Sequence, residues 1–254
     1  MSLLAEETTT TAADALEAAD VAVFPVGSTE QHGPALALGM DHLAAEAFAR
    51  TAADRKGCVV LPTLPVGVSA HHRQFDGTLY VEPETFERYV TETLSSLANH
   101  GVRKAVVVNG HGGNTDALTR AARRLRDDRI AFAPPWNWWD GVDDLAADLF
   151  DEAGGHADAM ESSLLWYLHE ELISPGELEA AEAGASDAWG KSVHGAPVGF
   201  DTVDFSDSGA VGRPTQANPE KGKQLFEAGS ERLAALLEWL ADRPLEDCWP
   251  APHR

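Results

Sequence analysis

Glu30, His32 and Asp41 fall within twelve residues of one another, in the run Phe24-Pro25-Val26-Gly27-Ser28-Thr29-Glu30-Gln31-His32-Gly33-Pro34 and its continuation to Asp41. A carboxylate, an imidazole and a second carboxylate make a mixed oxygen and nitrogen donor set, of the kind that holds a divalent metal ion. In extended chain, residues two apart point to the same side, which would bring Glu30 and His32 together. Two further clusters carry the same residue types. One is Asn109-Gly110-His111-Gly112-Gly113-Asn114, where glycines leave space beside His111. The other is His156-Ala157-Asp158-Ala159-Met160-Glu161-Ser162. Each has a plainer alternative. Asp41 is suited to be the N-cap of the helix that follows it, and Glu30 and His32 to an ordinary polar loop. Asp158 is suited to complement a helix dipole. The glycine run could cradle phosphate before a helix N-terminus, although it lacks the Gly-Lys-Ser/Thr and Gly-x-Gly-x-x-Gly spacings.

The elements around these clusters alternate. Buried-strand patterns cover 21–24, 58–61 and 104–108, and a fourth is expected at 129–133. Helical patterns cover 12–19, 42–53, 83–98, 115–126, 144–152, 157–172 and 219–241, with Asn114 or Thr115 capping the fourth. Alternation of this kind predicts an α/β fold with a mostly parallel sheet covered on both faces. All three clusters then sit where strands end or helices begin, the usual place for an active site in open α/β sheets. Residues 62–78 and 184–218 read as long irregular loops, the second rich in Gly, Ser, Asp and Pro. No change in composition divides the 254 residues, which read as one domain.

Acidic residues outnumber basic ones by 41 to 19, leaving a net charge of −22 spread along the whole chain. Such a surface repels nucleic acid and anionic membranes. No apolar run approaches the ~20 residues needed to cross a bilayer. The acidic, Thr-rich start lacks the features of a signal peptide, so a cytoplasmic protein is expected, and the charge suggests a salt-rich cytoplasm. Cys58 and Cys248 match no metal or redox spacing, and Cys58 falls in an apolar strand.

The run from Pro25 to Pro34 with Asp41 resembles the signature of the creatininase (creatinine amidohydrolase) family. Asn109 to Asn114 is similar to its second motif, and His156-Ala157 with Glu161-Ser162 to its third. Ser69, His72, Phe75, Gly77 and Thr78 resemble its Ser-x-x-His-x-x-Phe-x-Gly-Thr segment, and Gly209 to Gly222 its C-terminal segment, so the likeness spans roughly residues 20–225. The resemblance implies a three-layer α/β sandwich with two divalent ions per chain, Zn, Mn or Fe. It implies Glu30, Asp41 and His111 on one ion, and His32, Asp41 and Glu161 on the other, with Asp41 bridging. Water acidified between the ions would attack an amide carbon near neutral pH. Glu30 and His156 would be catalytic, His156 carrying a proton to the leaving nitrogen. One departure matters. Gly112 and Gly113 stand where creatininase has a bulky aromatic and a glutamate. Glu161 is therefore taken as the remaining ligand, and creatinine does not carry over as the substrate.

Ser69, His72, Gly112, Gly113 and Trp139 are expected to contact a small amide substrate. Trp136 and Trp138 suit a pocket wall or the core equally. His71 reads as a solvated loop residue and His194 as a weak candidate. The leading expectation is a hydrolase of a non-peptide amide, cyclic amide or formamide bond. The formamidopyrimidine deformylases of flavin and deazaflavin synthesis and the peptide-trimming members of the family are alternatives to a creatinine-like substrate. A non-catalytic nucleotide- or metal-binding module is the reading from another class. The resemblance also implies a homo-oligomer, a hexamer.

Salt should stabilise this chain, because ions screen the repulsion among its 41 acidic side chains. Its melting temperature is expected to climb between 0.1 and 2 M KCl. A flat or falling curve refutes salt adaptation.

Overall fold

Four parallel strands form the centre of the computed structural model, which describes residues 3–252 apart from 54, 56 and 152–154. They are β1 (Val21–Val26), β2 (Cys58–Val60), β3 (Ala105–Asn109) and β4 (Pro135–Asn137), in the order β2-β1-β3-β4. The helices are α1 (Thr9–Glu17), α2 (Met40–Ala53), α3 (Pro83–Asn99), α4 (Thr115–Asp127), α5 (Asp143–Leu149), α6 (Ala159–Leu168), α7 (Leu178–Ala183) and α8 (Pro219–Asp242). Successive strand residues face opposite ways, and both faces of the sheet are apolar. Val21, Val23, Val106 and Val108 pack with Phe48 of α2, Leu164 of α6 and Leu233 of α8. Ala22, Phe24, Val26 and Val107 pack with Phe86 and Leu94 of α3 and Leu118 of α4. The result is the expected three-layer α/β sandwich. No helix of the described residues is long and apolar enough to cross a membrane.

The chain leaves β1 through α2 on one face to reach β2, then crosses on the other face through α3 to reach β3. The strand order thus reverses between β1 and β3, and a crevice opens beyond their carboxyl ends. The N-terminus of α2 is wedged into that crevice. A Cβ on Gly27, just after β1, would lie 2.4 Å from the backbone nitrogen of His42. One on Gly110, just after β3, would lie 2.0 Å from the carbonyl oxygen of Asp41. Only glycine allows the helix to come this close to both strand ends.

Several boundaries differ from the expected ones for local reasons. The fourth strand is Pro135–Asn137, not 129–133. Residues 128–131 are spent ending α4: Arg129 takes a left-handed φ of +52°, and the Ile130 N–H returns to the Leu125 carbonyl. Asp41 lies in the first turn of α2 rather than capping it. The third-cluster helix runs over Ala159–Leu168, shorter than 157–172, because Ala157 has a left-handed φ of +49° and the Asp158 carboxylate caps Met160 and Glu161. The expected helix over 144–152 ends at Leu149, and its last residue lies outside those described. The segment 184–218 is not wholly irregular. It holds the antiparallel hairpin β5 (Lys191–Val193) and β6 (Ala196–Gly199), turned at His194 and Gly195, both with positive φ.

Gly110→Ala should test the wedge. Forcing a methyl against the α2 backbone is expected to cost about 1–3 kcal/mol or more, read as a lower melting temperature, and to shift Asp41. An unchanged melting temperature refutes the close approach.

Candidate metal centre

The crevice between β1 and β3 is where the three sequence clusters meet. Glu30 and His32 come from the loop after β1, Asp41 from α2, His111 from the loop after β3, His156 from the chain just before α6, and Glu161 from its first turn. Glu30 and His32 are fully buried, and Glu161 keeps 13% of its side chain exposed. The Glu30 Oε2 is 3.2 Å from a His111 nitrogen, and its Oε1 is 3.2 Å from His72 Nε2. Asp41 Oδ1 is 3.1 Å from His32 Nε2, and its Oδ2 is 3.2 Å from His111 Nδ1. Glu161 Oε2 lies 3.6 Å from His32 Nε2. His156 Nδ1 lies 3.7 Å from Glu30 Oε1 and 4.0 Å from Glu161 Oε2.

Among the described residues, three donor triples have their ligand atoms within 4.8 Å of one another: Glu30, Asp41 and His111; His32, Asp41 and Glu161; and Glu30, His32 and His156. The first two are the sets expected from the sequence, sharing Asp41. The third also brings in His156, expected only as a proton carrier. Whether these residues fit a metal is tested by their hydrogen bonding. Both Glu30 oxygens and Asp41 Oδ2 are buried without a hydrogen-bond partner. A buried ionised carboxylate needs partners, and oxygen atoms left bare beside imidazole nitrogens are what divalent ions take up. The residues fit.

The scaffold is polar and well bonded. Asn109 accepts from the His111 N–H and donates to the His111 carbonyl. Asn114 donates to the Gly27 carbonyl and accepts from the Val68 N–H, tying the ends of β1 and β3 to the loop at 68. The Asn114 N–H returns to the His111 carbonyl. With the His111 and Asn114 amides bonded internally, the glycine run keeps few donors for a phosphate.

Charges in the cluster oppose one another. Burial lowers the affinity of His32 for a proton, but Asp41, Glu161 and Glu30 outweigh it and raise the ring to about 10. The same contest, with Glu30 and Asp41, holds His111 well above its ordinary value. Burial works to raise Glu30, yet His111 and His72 hold it well below the carboxylate range. Burial pushes Glu161 up to about 8. Burial, with His32 and His72 beside it, holds His156 well below the usual histidine value, so that ring is neutral.

Above the cluster is a cavity of about 600 Å³. Glu30, His72, His111, Gly112, Gly113, Trp139, His156 and Glu161 line it, while His32 and Asp41 lie beneath. Ser69 does not reach it. It is fully buried behind, with its hydroxyl 2.6 Å from that of Ser28. Trp138 belongs to the core, Trp136 packs on Phe48, and His194 is exposed at the hairpin turn. His71, expected in solvent, instead lines the cavity, its ring parallel to His111 with centroids 5.7 Å apart; burial lowers its pKa to about 4. Trp189 and Phe200, missed in the sequence, also line the cavity from either end of the hairpin. A lone tryptophan in a segment of small polar residues was the available signal. Gln31 was missed because strand alternation turns it away from Glu30 and His32. Past Val26 the chain is not a strand, and its side chain also enters the site.

The creatininase model, described as creatinine amidohydrolase, matches residues 5–237. The mycofactocin precursor peptide peptidase of Mycobacterium ulcerans is 30% identical over 85% of this chain and 84% of its own. The 3-dehydro-scyllo-inosose hydrolase of Thermotoga maritima is 28% identical over 90% of this chain and 80% of its own. A solved structure, creatininase Mn, superposes with a TM-score of 0.79 at 25% identity, covering 96% of this chain and 100% of that one.

Proposed function

The chain belongs to the creatininase family, and from that membership and the buried donor cluster we propose that it is a metal-dependent hydrolase of a carbon–nitrogen amide bond. The observation that carries this reading is the set of unpartnered carboxylate oxygens, on Glu30 and Asp41, turned toward histidine nitrogens in a buried crevice. Glu30, Asp41 and His111 would hold one divalent ion, and His32, Asp41 and Glu161 a second, with Asp41 shared. When bound, such ions supply Lewis acidity toward an amide carbonyl and acidify a water enough to act near neutral pH. The chain's own residues do the rest. Glu30, kept ionised by its two histidine neighbours, holds its place in the donor set. His156, neutral and at the cavity wall, is placed to accept a proton and pass it to the leaving nitrogen. Trp139, Trp189 and Phe200 supply flat apolar walls.

Among the described residues, no lysine or arginine lines the cavity. That favours an uncharged amide or formamide over an anion. A peptide-trimming activity is the second reading. It is supported by the relative named as a mycofactocin precursor peptide peptidase, and by open space around Gly112 where an extended chain would fit. A creatinine substrate is disfavoured by the glycines at 112 and 113.

We also read the protein as a homo-oligomer, because Val193, Val198 and Phe200 stand exposed on and beside the hairpin. Light scattering in high salt should find more than one chain per particle, and a monomer refutes this.

Metal content and turnover, measured on one preparation with a panel of amides, formamides and short peptides, test the main reading. Asp41→Asn is expected to lose both ions and all activity while the chain stays folded. His156→Ala should keep both ions and slow turnover by ~10²–10⁴-fold. Loss of one ion in His156→Ala would make His156 a ligand of the third donor set. Full metal and full turnover in Asp41→Asn would sink the shared-carboxylate reading.

A further inference from the structure

Gln31 stands between two proposed ligands, and its carboxamide reaches two histidines. Its Oε1 accepts from the Gly33 N–H at 2.9 Å. A backbone N–H only donates, so this contact fixes which end of the amide is oxygen. The Nε2 then carries two hydrogens. It lies 3.0 Å from the Gly209 carbonyl, 2.8 Å from His72 Nδ1 and 2.9 Å from His156 Nε2. The carbonyl only accepts, and it takes one hydrogen. The other must go to one of the two rings.

The backbone decides which. His156 Nε2 is 2.7 Å from the Gln31 carbonyl, a contact that requires a hydrogen on Nε2. That nitrogen cannot also accept from the carboxamide, so the 2.9 Å approach between the two is one of neighbouring donors. The second amide hydrogen therefore goes to His72 Nδ1. Thr202, fully buried, has its hydroxyl 2.9 Å from the same Nδ1 and packs beside that bond. A neutral ring with a bare Nδ1 carries its proton on Nε2. On His72 that atom is 3.2 Å from Glu30 Oε1.

We propose that Gln31 is a positioning residue whose carboxamide fixes the proton of His72 on Nε2, so that His72 turns an N–H toward Glu30 and stands behind the metal donors rather than among them. This rests on the metal-dependent reading above. His72 then faces one oxygen of Glu30 with its N–H, and the other oxygen faces His111. Outer partners of this kind orient a ligating carboxylate and tune its affinity. The two stacked rings, 4.3 Å apart, present opposite ends to the cluster: His72 an N–H, His156 a bare Nδ1. The arrangement also explains Gly209. A Cβ there would lie 1.9 Å from Gln31 Oε1, displacing the clamp.

The test is nitrogen-15 NMR of the histidine rings in the metal-free protein, in mildly alkaline buffer, where the two neutral tautomers have distinct shift patterns. His72 and His156 are both expected as the Nε2–H form. In Gln31→Leu, His72 should become a mixture of tautomers, while His156, held by a backbone carbonyl, should not change. Affinity of the variant for Zn²⁺ should fall about 10–100-fold. A His72 proton on Nδ1 in the natural protein overturns the proposal, as does a His72 pattern unchanged in Gln31→Leu. Should that variant fail to fold, the natural protein's spectrum still decides, and Thr202→Val gives a second arm. With Gln31 still donating, His72 must stay Nε2–H in it, and a switch to Nδ1–H overturns the assignment. The spectra need no metal. A chain with the expected tautomers that takes up no metal would refute the hydrolase reading and leave the role of Gln31 in place.

Discussion

A fully buried carboxylate with no hydrogen bond to either oxygen is the constraint on which this structure turns. Removing an ionised Glu30 from water costs several kcal/mol, and nothing in the backbone offsets it. His72 and His111 approach it instead, each at 3.2 Å. Each of those rings is held in turn, His72 by Gln31 and Thr202, His111 by Asp41 and the Val68 carbonyl. The crevice therefore consists of side chains that answer one another's desolvation. Such a set is stable when every member is supplied and poor when one is removed. That is also the condition for a metal site, where the ion supplies the missing partner.

The sheet exists to bring these residues to one place. β1 and β3 are buried on both faces, so their ends are rigid, and the reversal of strand order leaves room between them. Gly27 and Gly110 admit the α2 N-terminus into that room. Asp41 reaches the cluster because its helix starts at Met40, one residue before it. Had Asp41 been the N-cap, its carboxylate would have been spent on backbone amides. Instead the free end of α2 sits near a cluster that already holds the acidic groups.

Much of this was legible in the sequence, and the reason is local. Runs such as Val21 to Phe24 and Ala105 to Val108 are too apolar to be anything but buried strand, and the donor residues follow them directly. What was not legible depended on contacts between distant segments. The strand at Pro135–Asn137 is three residues long, and only its neighbour β3 defines it. The left-handed turn at Arg129 has no glycine to announce it. His71 and Gln31 look like loop residues until the segment 184–218 is laid over them. Thr202 and Gly209 then bond to His72 and Gln31, and Val211 pairs with His156. That segment, composed like a linker, is ordered by the site it covers.

The two electrostatic features of the chain are separate in their physics. Most of the net charge of −22 is carried by groups outside the crevice, in high dielectric, where ions at 1 M cut interactions beyond ~3 Å. The cluster is buried and its pairs lie mostly between 3.1 and 3.7 Å, where screening by salt is much weaker. Salt therefore acts on the shell and leaves the crevice nearly untouched. A sequence could acquire or lose its acidic surface without disturbing Glu30, Asp41 or the histidines. The reverse does not hold. A change at Gln31 or Gly110 alters the crevice directly, and no amount of screening restores it.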